Sequence, residues 1–130
     1  MFELPVTIKQ VDLSPEYLHV HHTKCLLFLE QARLEFLRSI GFSSESLIKR
    51  ELFPVIVSIN VRYLREVVLG DYKVSCEDCQ VDGRSLFIKQ VMRSSKGKVA
   101  VEAMVESMLL NGKTKRAVVP ESEFIRAFSK

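Results

Sequence analysis

The sequence predicts an α+β fold in which a curved antiparallel sheet wraps around one long central helix. Residues 23–39 contain no glycine or proline, are rich in Leu, Glu, Gln, Ala and Arg, and are followed by Gly41 as a stop signal. The first two turns of this helix, CLLFLEQA, are apolar on almost every side, which a surface helix does not tolerate. Several strand-like segments follow, so we expect a sheet to cover the helix.

The strands are predicted from alternation and from turn signals. Residues 2–10 form a first strand, weakened by Pro5. In FPVIVSINVRYL, residues 53–64, one face carries polar residues and the other carries Val55, Val57, Ile59, Val61 and Tyr63.

Three more strands follow, DYKVSCEDCQV, RSLFIKQVMRS and KVAVEAMVESMLL. The first two are joined at Asp82-Gly83, a strong hairpin signal. PESEFIRAF, residues 120–128, starts a short terminal helix with Pro120 near its first position. The predicted order is a strand, the long helix, and four antiparallel strands in a meander.

Length and composition indicate one globular domain spanning residues 1–130. The chain has 130 residues, of which 47% are hydrophobic and 27% are charged, so disorder is not expected. The net charge of +3 comes from basic and acidic residues spread through the chain. This excess is too small and too dispersed to predict nucleic-acid binding, although it suits an anionic small molecule.

The chain shows neither a signal peptide nor a membrane span, so we expect a cytoplasmic protein without membrane contact. Its three cysteines are an odd number for a secreted disulfide framework. Cys76 and Cys79 form one CxxC in a strand-like segment, where side chains three apart point to opposite faces. We therefore interpret them as structural thiols.

All three histidines, His19, His21 and His22, lie just before the long helix. A metal site is one interpretation, because HVHH offers three nitrogens, but only Glu16 stands near as a further ligand. A second interpretation makes His19 and His21 loop or interface residues. A third places a functional imidazole at the helix N-terminus.

The predicted sheet leaves edge strands whose backbone groups are unpaired. We therefore expect a homodimer or homotetramer in which a second copy continues the sheet and pairs these backbone groups.

The sequence resembles the hotdog-fold acyl-CoA thioesterases of the 4-hydroxybenzoyl-CoA thioesterase type. In that family a His-containing loop leads into a helix reading roughly Y-L-x-x-x-E-x-A-R, and the second strand ends in Y-L-x-x-x-x-x-G-D. The likeness covers residues from about 6 to 119. The first pattern is matched by Glu30, Ala32 and Arg33, and the second by Tyr63, Leu64, Gly70 and Asp71. It implies a hotdog fold, thioester hydrolysis without a cofactor, and a site between subunits.

The resemblance assigns the loop histidine to His22 and implies a catalytic aspartate seven residues earlier, followed shortly by glycine. Pro15 occupies the aspartate position, and Tyr17 and Leu18 stand at the glycine positions. Thioester hydrolysis needs a carboxylate to activate water or attack the acyl carbon. Glu16 is the first candidate to replace it, and Asp12 is the second. For Glu30 we favour a structural pairing with Arg33.

The remaining site residues follow from the needs of the reaction. Backbone amides near Thr23 and Lys24, at the helix N-terminus, are candidates to hold the oxyanion. Arg62 and Arg65, near Tyr63, either form a solvated strand face or, with Lys24 or Lys73, attract the phosphates of CoA.

The sequence therefore predicts an acyl-CoA or acyl-carrier-protein thioesterase. The alternative is a non-catalytic hotdog protein that binds acyl thioesters, which the missing aspartate favours.

Overall fold

An antiparallel sheet of six strands packs against one long helix in the computed structural model, which describes residues 1–129. The strands are β1 (Phe2–Ile8), β2 (Leu52–Tyr63), β3 (Gly70–Asp82), β4 (Ser85–Ser94), β5 (Val99–Asn111) and β6 (Ala117–Val118). The helices are α1 (His22–Ser39), α2 (Ser44–Lys49) and α3 (Ser122–Phe128), and a 3-10 turn spans Gln10–Asp12. The predicted α+β class, with one long helix against the sheet, is confirmed.

The strand order differs from the predicted meander. The order across the sheet is β1-β3-β4-β5-β2, with β6 paired to β5. Only β3, β4 and β5 form a meander, whereas β2 pairs with β5 and lies at the edge opposite β1. Residues 64–69 therefore carry the chain from one side of the sheet to the other. Alternation identifies a strand but not its neighbour, which is why the sequence did not show this crossing.

Helix α1 lies with one face on the sheet. Its buried residues are Cys25, Phe28, Leu29, Ala32, Phe36 and Leu37. Leu27 and Leu34 on this helix are 52% and 42% exposed, so the sheet covers only part of the apolar surface of the helix. Among residues 1–129, none of the helices is both long and apolar enough to cross a membrane.

The prediction that Val55, Ile59 and Val61 share one face of β2 is wrong for Val55, because β2 contains a bulge. Val55 pairs with Met108 and Ser58 pairs with Glu106, with a register shift between Ile56 and Ser58. Directly paired residues point to the same face, so Val55 lies on the same outward face as Ser58, Asn60 and Arg62. Ile59 and Val61 face the core as predicted, whereas Val55 does not share their face.

The prediction that Cys76 and Cys79 point to opposite faces is wrong, because β3 also contains a bulge. The register shifts between Glu77 and Gln80, and Asp78 has a φ of 49° in the left-handed region. The extra residue brings Cys79 back toward the core, so both Cys76 and Cys79 pack against it. Both thiols are free, and burial raises the pKa of Cys76 to about 12 and that of Cys79 to about 11.

Candidate active site

A cleft of about 470 Å³ opens at the N-terminus of α1. Three segments build it: the loop before α1, the first helical turn, and the connection from β2 to β3. Its lining includes Tyr17, His19, His22, Cys25, Tyr63 and Glu66. The predicted clustering of histidines at the helix mouth thus brings all three imidazoles to one cavity.

The loop before α1 is a closed turn. Leu13 and Val20 form an isolated antiparallel bridge, and the Ser14 N–H donates to the His19 carbonyl at 2.8 Å. Leu18 completes the turn with a φ of 57°, in the left-handed region that is uncommon for a leucine. These backbone bonds fix the direction in which His19 leaves the loop.

Helix α1 begins at His22 and is capped by His21. The His21 Nδ1 accepts from the Thr23 backbone N–H at 3.3 Å and from the Thr23 hydroxyl at 2.8 Å, which requires an unprotonated Nδ1. The Lys24 N–H donates to the His21 carbonyl at 2.9 Å. Both amides predicted to hold the oxyanion therefore have internal partners. The His22 N–H has no partner within residues 1–129.

His22 and Tyr63 form one wall of the cleft. Their rings meet edge to face with centroids 6.1 Å apart, and the Tyr63 hydroxyl donates to the His22 carbonyl at 3.3 Å. Burial, and then the neighbouring Cys25, raise the pKa of Tyr63 above its ordinary value. The phenol thus stays protonated and can donate near the helix N-terminus.

His19 and Glu66 face each other in the lining of the same cleft. The His19 Nδ1 is buried, has no hydrogen-bond partner within the described chain, and lies 3.8 Å from the Glu66 Oε1. The Tyr17 ring stacks on the imidazole with centroids 5.7 Å apart. Sequence reasoning treated His19 as a loop or interface residue and missed Glu66. The available signal was an acidic residue directly after Arg65, in the segment that ends β2.

The two predicted carboxylates lie outside this cleft. Glu16 is exposed, and no ion pair or hydrogen bond joins it to the described residues. Asp12 accepts from the Lys9 N–H at 2.9 Å and pairs with the Lys24 ammonium at 3.4 Å. Their catalytic roles stay predictions.

The predicted cationic residues are dispersed. Arg65 lines the cleft. Arg62 lies opposite Glu102 on the outward face of the sheet, and Lys73 lies opposite Arg93 in β4. Lys24 is paired with Asp12. Arg65 is therefore the predicted cation that the structure places beside the cleft.

The predicted pairing of Glu30 with Arg33 is not formed, and the thiol in the cleft is not a nucleophile. Arg33 donates to the Gln90 Oε1 at 2.9 Å instead of forming an ion pair with Glu30, although the Glu30 charge opposes the lowering of the Arg33 pKa by burial. Cys25 lines the cleft, but burial raises its pKa to about 11, so it is a neutral thiol and a poor nucleophile. In the described part of the chain, no group of three or more His, Cys, Asp or Glu could hold a metal ion.

Comparison with known proteins places the chain in a family. Residues 6–128 match the sequence model of the thioesterase-like superfamily. The chain belongs to the thioesterase-like superfamily. The long-chain acyl-CoA thioesterase FadM of Escherichia coli is similar to this chain, with 30% identity over 109 residues, which are 82% of each chain.

Solved structures of thioesterase-like proteins confirm the predicted hotdog fold. The probable thioesterase YbaW from Escherichia coli is 24% identical with a TM-score of 0.83, and all of each chain is covered. A hypothetical protein from Staphylococcus aureus, solved in complex with CoA, is 19% identical with a TM-score of 0.89. That likeness covers 97% of this chain and 80% of the other.

Proposed function

We propose that the protein hydrolyses long-chain fatty acyl-CoA thioesters to the free acid and CoA. The observation that carries the proposal is the cleft in which His22 and Tyr63 stand at the N-terminus of α1. The likeness to FadM, named a long-chain acyl-CoA thioesterase, supports this substrate class. The alternative substrate is an aromatic acyl-CoA, which the resemblance to the 4-hydroxybenzoyl-CoA type suggests.

The helix N-terminus supplies the electrophilic part of the site. The His22 N–H is the amide of the first turn that is left for a substrate, because Thr23 and Lys24 donate to His21. A thioester oxygen placed there would accept from this N–H and gain from the positive end of the helix dipole. The His22 imidazole would orient the thioester beside it.

The two ends of the substrate meet different surroundings. The acyl chain would contact the apolar part of the cleft, formed by Val20, Leu64 and Val67 together with the buried Cys25. Arg65 would attract the phosphates of CoA from the rim, as guanidinium groups commonly do. An acyl-carrier-protein donor would present the same thioester through its phosphopantetheine arm.

The active form in this proposal is a cytoplasmic homodimer or homotetramer of one domain, residues 1–130. Strand β2 lies at an edge of the sheet, with β5 on one side. Exposed apolar side chains lie beside this edge: Leu34 on α1 and Ile56 on β2 line one shared cavity. A second copy pairing along β2 would satisfy the free backbone groups and cover this surface.

A non-catalytic acyl-thioester-binding protein is the second candidate. It is favoured by one observation: Pro15 stands where the resemblance to the 4-hydroxybenzoyl-CoA type implies an aspartate, and the adjacent Glu16 does not line the cleft. A binder would use the same cleft without activating water.

A hydrolysis screen over short, long and aromatic acyl-CoAs, with free thiol measured directly, separates the two candidates. We expect turnover above background, fastest on palmitoyl-CoA. Turnover fastest on benzoyl-CoA would contradict the long-chain assignment. Saturable binding of palmitoyl-CoA without thiol release would establish the binder instead.

A further inference from the structure

We propose that His19 is the base that activates the hydrolytic water and that Glu66 is the residue that positions it. This pair would replace the carboxylate that is missing at Pro15. The inference rests on the proposed hydrolytic function, and it names a group that neither the sequence nor the comparisons assigned.

The geometry of the pair carries the proposal. The Glu66 Oε1 lies 3.8 Å from a His19 Nδ1 that is buried and has no hydrogen-bond partner within residues 1–129. A buried polar nitrogen without a partner is costly, so a nearby carboxylate is its natural acceptor. Catalytic hydrogen bonds are often long before substrate binds, and a small movement of the 73% exposed Glu66 side chain would close this one.

The backbone holds both residues in register. The Val20 N–H donates to the Val67 carbonyl at 2.7 Å, which ties the residue after His19 to the residue after Glu66. On the other side, the Arg65 N–H donates to the Ala100 carbonyl at 3.1 Å and anchors the segment to β5. Main-chain hydrogen bonds therefore fix the positions of His19 and Glu66 relative to each other.

Hydrolysis by this pair needs no reactant other than the thioester and water. With its Nδ1 proton directed at Glu66, His19 has a free lone pair on Nε2 that takes a proton from water as the water oxygen bonds to the thioester carbon. The carbonyl π electrons move to oxygen, beside the His22 N–H. When the tetrahedral intermediate collapses, the C–S bond breaks and the imidazolium returns the proton to the departing sulfur. Glu66 only orients the imidazole and takes no proton in the step.

Few other titratable groups surround the pair. The Tyr17 ring stacks on His19, Arg65 precedes Glu66, and the other titratable residues that line the cleft are His21, His22, Cys25 and Tyr63. Glu66 is the acidic residue among those that line the cleft. A fall in kcat on removing Glu66 is therefore attributable to the loss of this carboxylate from the cleft.

Palmitoyl-CoA hydrolysis by the full-length chain tests the proposal. His19→Ala should lower kcat on the order of 100-fold, with a smaller change in KM, and added imidazole should restore part of the loss. Glu66→Gln should lower kcat about 10-fold or more with little change in KM, because the His19 imidazole loses the carboxylate that orients it. Glu66→Asp should retain part of the turnover.

Glu121→Gln is a matched control, because Glu121 is 75% exposed and lies 4.0 Å from a cation, Arg50, outside the cleft. It should leave kcat unchanged. If His19→Ala loses its structure by circular dichroism, His19→Gln takes its place. Wild-type turnover in the His19 and Glu66 variants would overturn this inference and leave the thioesterase function intact. Failure of the wild-type chain to release thiol from any acyl-CoA would overturn both.

Discussion

The side-chain amide of Gln90 donates a hydrogen bond to the backbone carbonyl of Leu29 at 2.9 Å, so β4 is bonded directly to the middle of α1. Gln90 is fully buried, and its Oε1 accepts from the Arg33 guanidinium at 2.9 Å. One neutral side chain thus satisfies a helix carbonyl and a half-buried cation. It also fixes the position of α1, whose N-terminus forms the cleft.

Gln90→Ala should destabilise the protein by about 2–3 kcal/mol, because the buried end of Arg33 loses its acceptor and a cavity forms. Urea unfolding followed by circular dichroism measures this change. Gln31→Ala is the control, since Gln31 is exposed on the same helix and should change stability by less than about 0.5 kcal/mol. Equal midpoints for the two variants would contradict the bridging role of Gln90.

His22→Ala should lower turnover far more than stability. The imidazole is exposed, so its loss should cost less than about 0.5 kcal/mol in unfolding, whereas kcat should fall on the order of 10-fold or more. Steady-state kinetics and urea unfolding of the same preparation compare the two effects. His21→Asn, which keeps a good helix cap, should be milder. A His22→Ala enzyme with wild-type kcat would remove His22 from the mechanism.

Glu16→Gln decides between the two sources of water activation. If Glu16 were the base, as the sequence predicts, this isosteric change would cost on the order of 100-fold in kcat. Because Glu16 lies outside the cleft, we expect less than about a twofold change.

Asp12→Asn provides the companion measurement. It should lower stability through the lost Lys24 pair and the Lys9 cap, again with little effect on kcat. A large loss of kcat in either carboxylate variant would return that residue to the catalytic role.

Alkaline pH should destabilise the fold through its buried thiols. Burial raises the pKa of Cys25 from 9.0 to about 11 and that of Cys76 to about 12. The folded chain therefore holds these protons more tightly than the unfolded chain. The stabilisation is complete below about pH 9 and is lost as the pH rises toward about 11–12.

Urea midpoints measured between about pH 8 and about pH 11 should fall steadily for the wild-type chain. The Cys25→Ala/Cys79→Ala double variant, which lacks two of the raised pKa values, should show a shallower fall. Parallel slopes for the two proteins would show that the thiols do not contribute.

The chain should be at least a dimer at micromolar concentration. Light scattering is expected to give a mass of at least twice 14.9 kDa. Leu34→Lys, on the exposed face of α1, should weaken association, whereas Val119→Lys, at a similarly exposed apolar position, should not. A mass of 14.9 kDa at every concentration would rule out the proposed assembly.

The sequence predicted the elements well because each depends on local chemistry. The predicted helix over 23–39 is observed as His22–Ser39, and the predicted strand over 53–64 is observed as Leu52–Tyr63. The short helix Ser44–Lys49 was missed, although Ser43 caps it by accepting from the Ser46 N–H at 3.2 Å. A six-residue helix has too few turns to show a periodic pattern.

Features that depend on strand register or on tertiary contacts could not be predicted from the sequence. A single extra residue near Val57, or at Asp78, reverses the alternation of a strand, and nothing in the residue types marks it. In the same way, the proximity of His19 and Glu66 depends on the tertiary bond from Val20 to Val67. The cluster of histidines was visible in the sequence, but its acidic neighbour was not.

The crossing of residues 64–69 over the sheet has a consequence for how the chain folds. Strands β3, β4 and β5 are sequential hairpins, which close short loops and can form early. Both edges must wait for distant partners, since Phe2 pairs with Cys76 and Leu52 pairs with Asn111. Such a pattern of contacts slows folding, and it leaves the edge strand β2 exposed in the nascent chain until β5 has been synthesised.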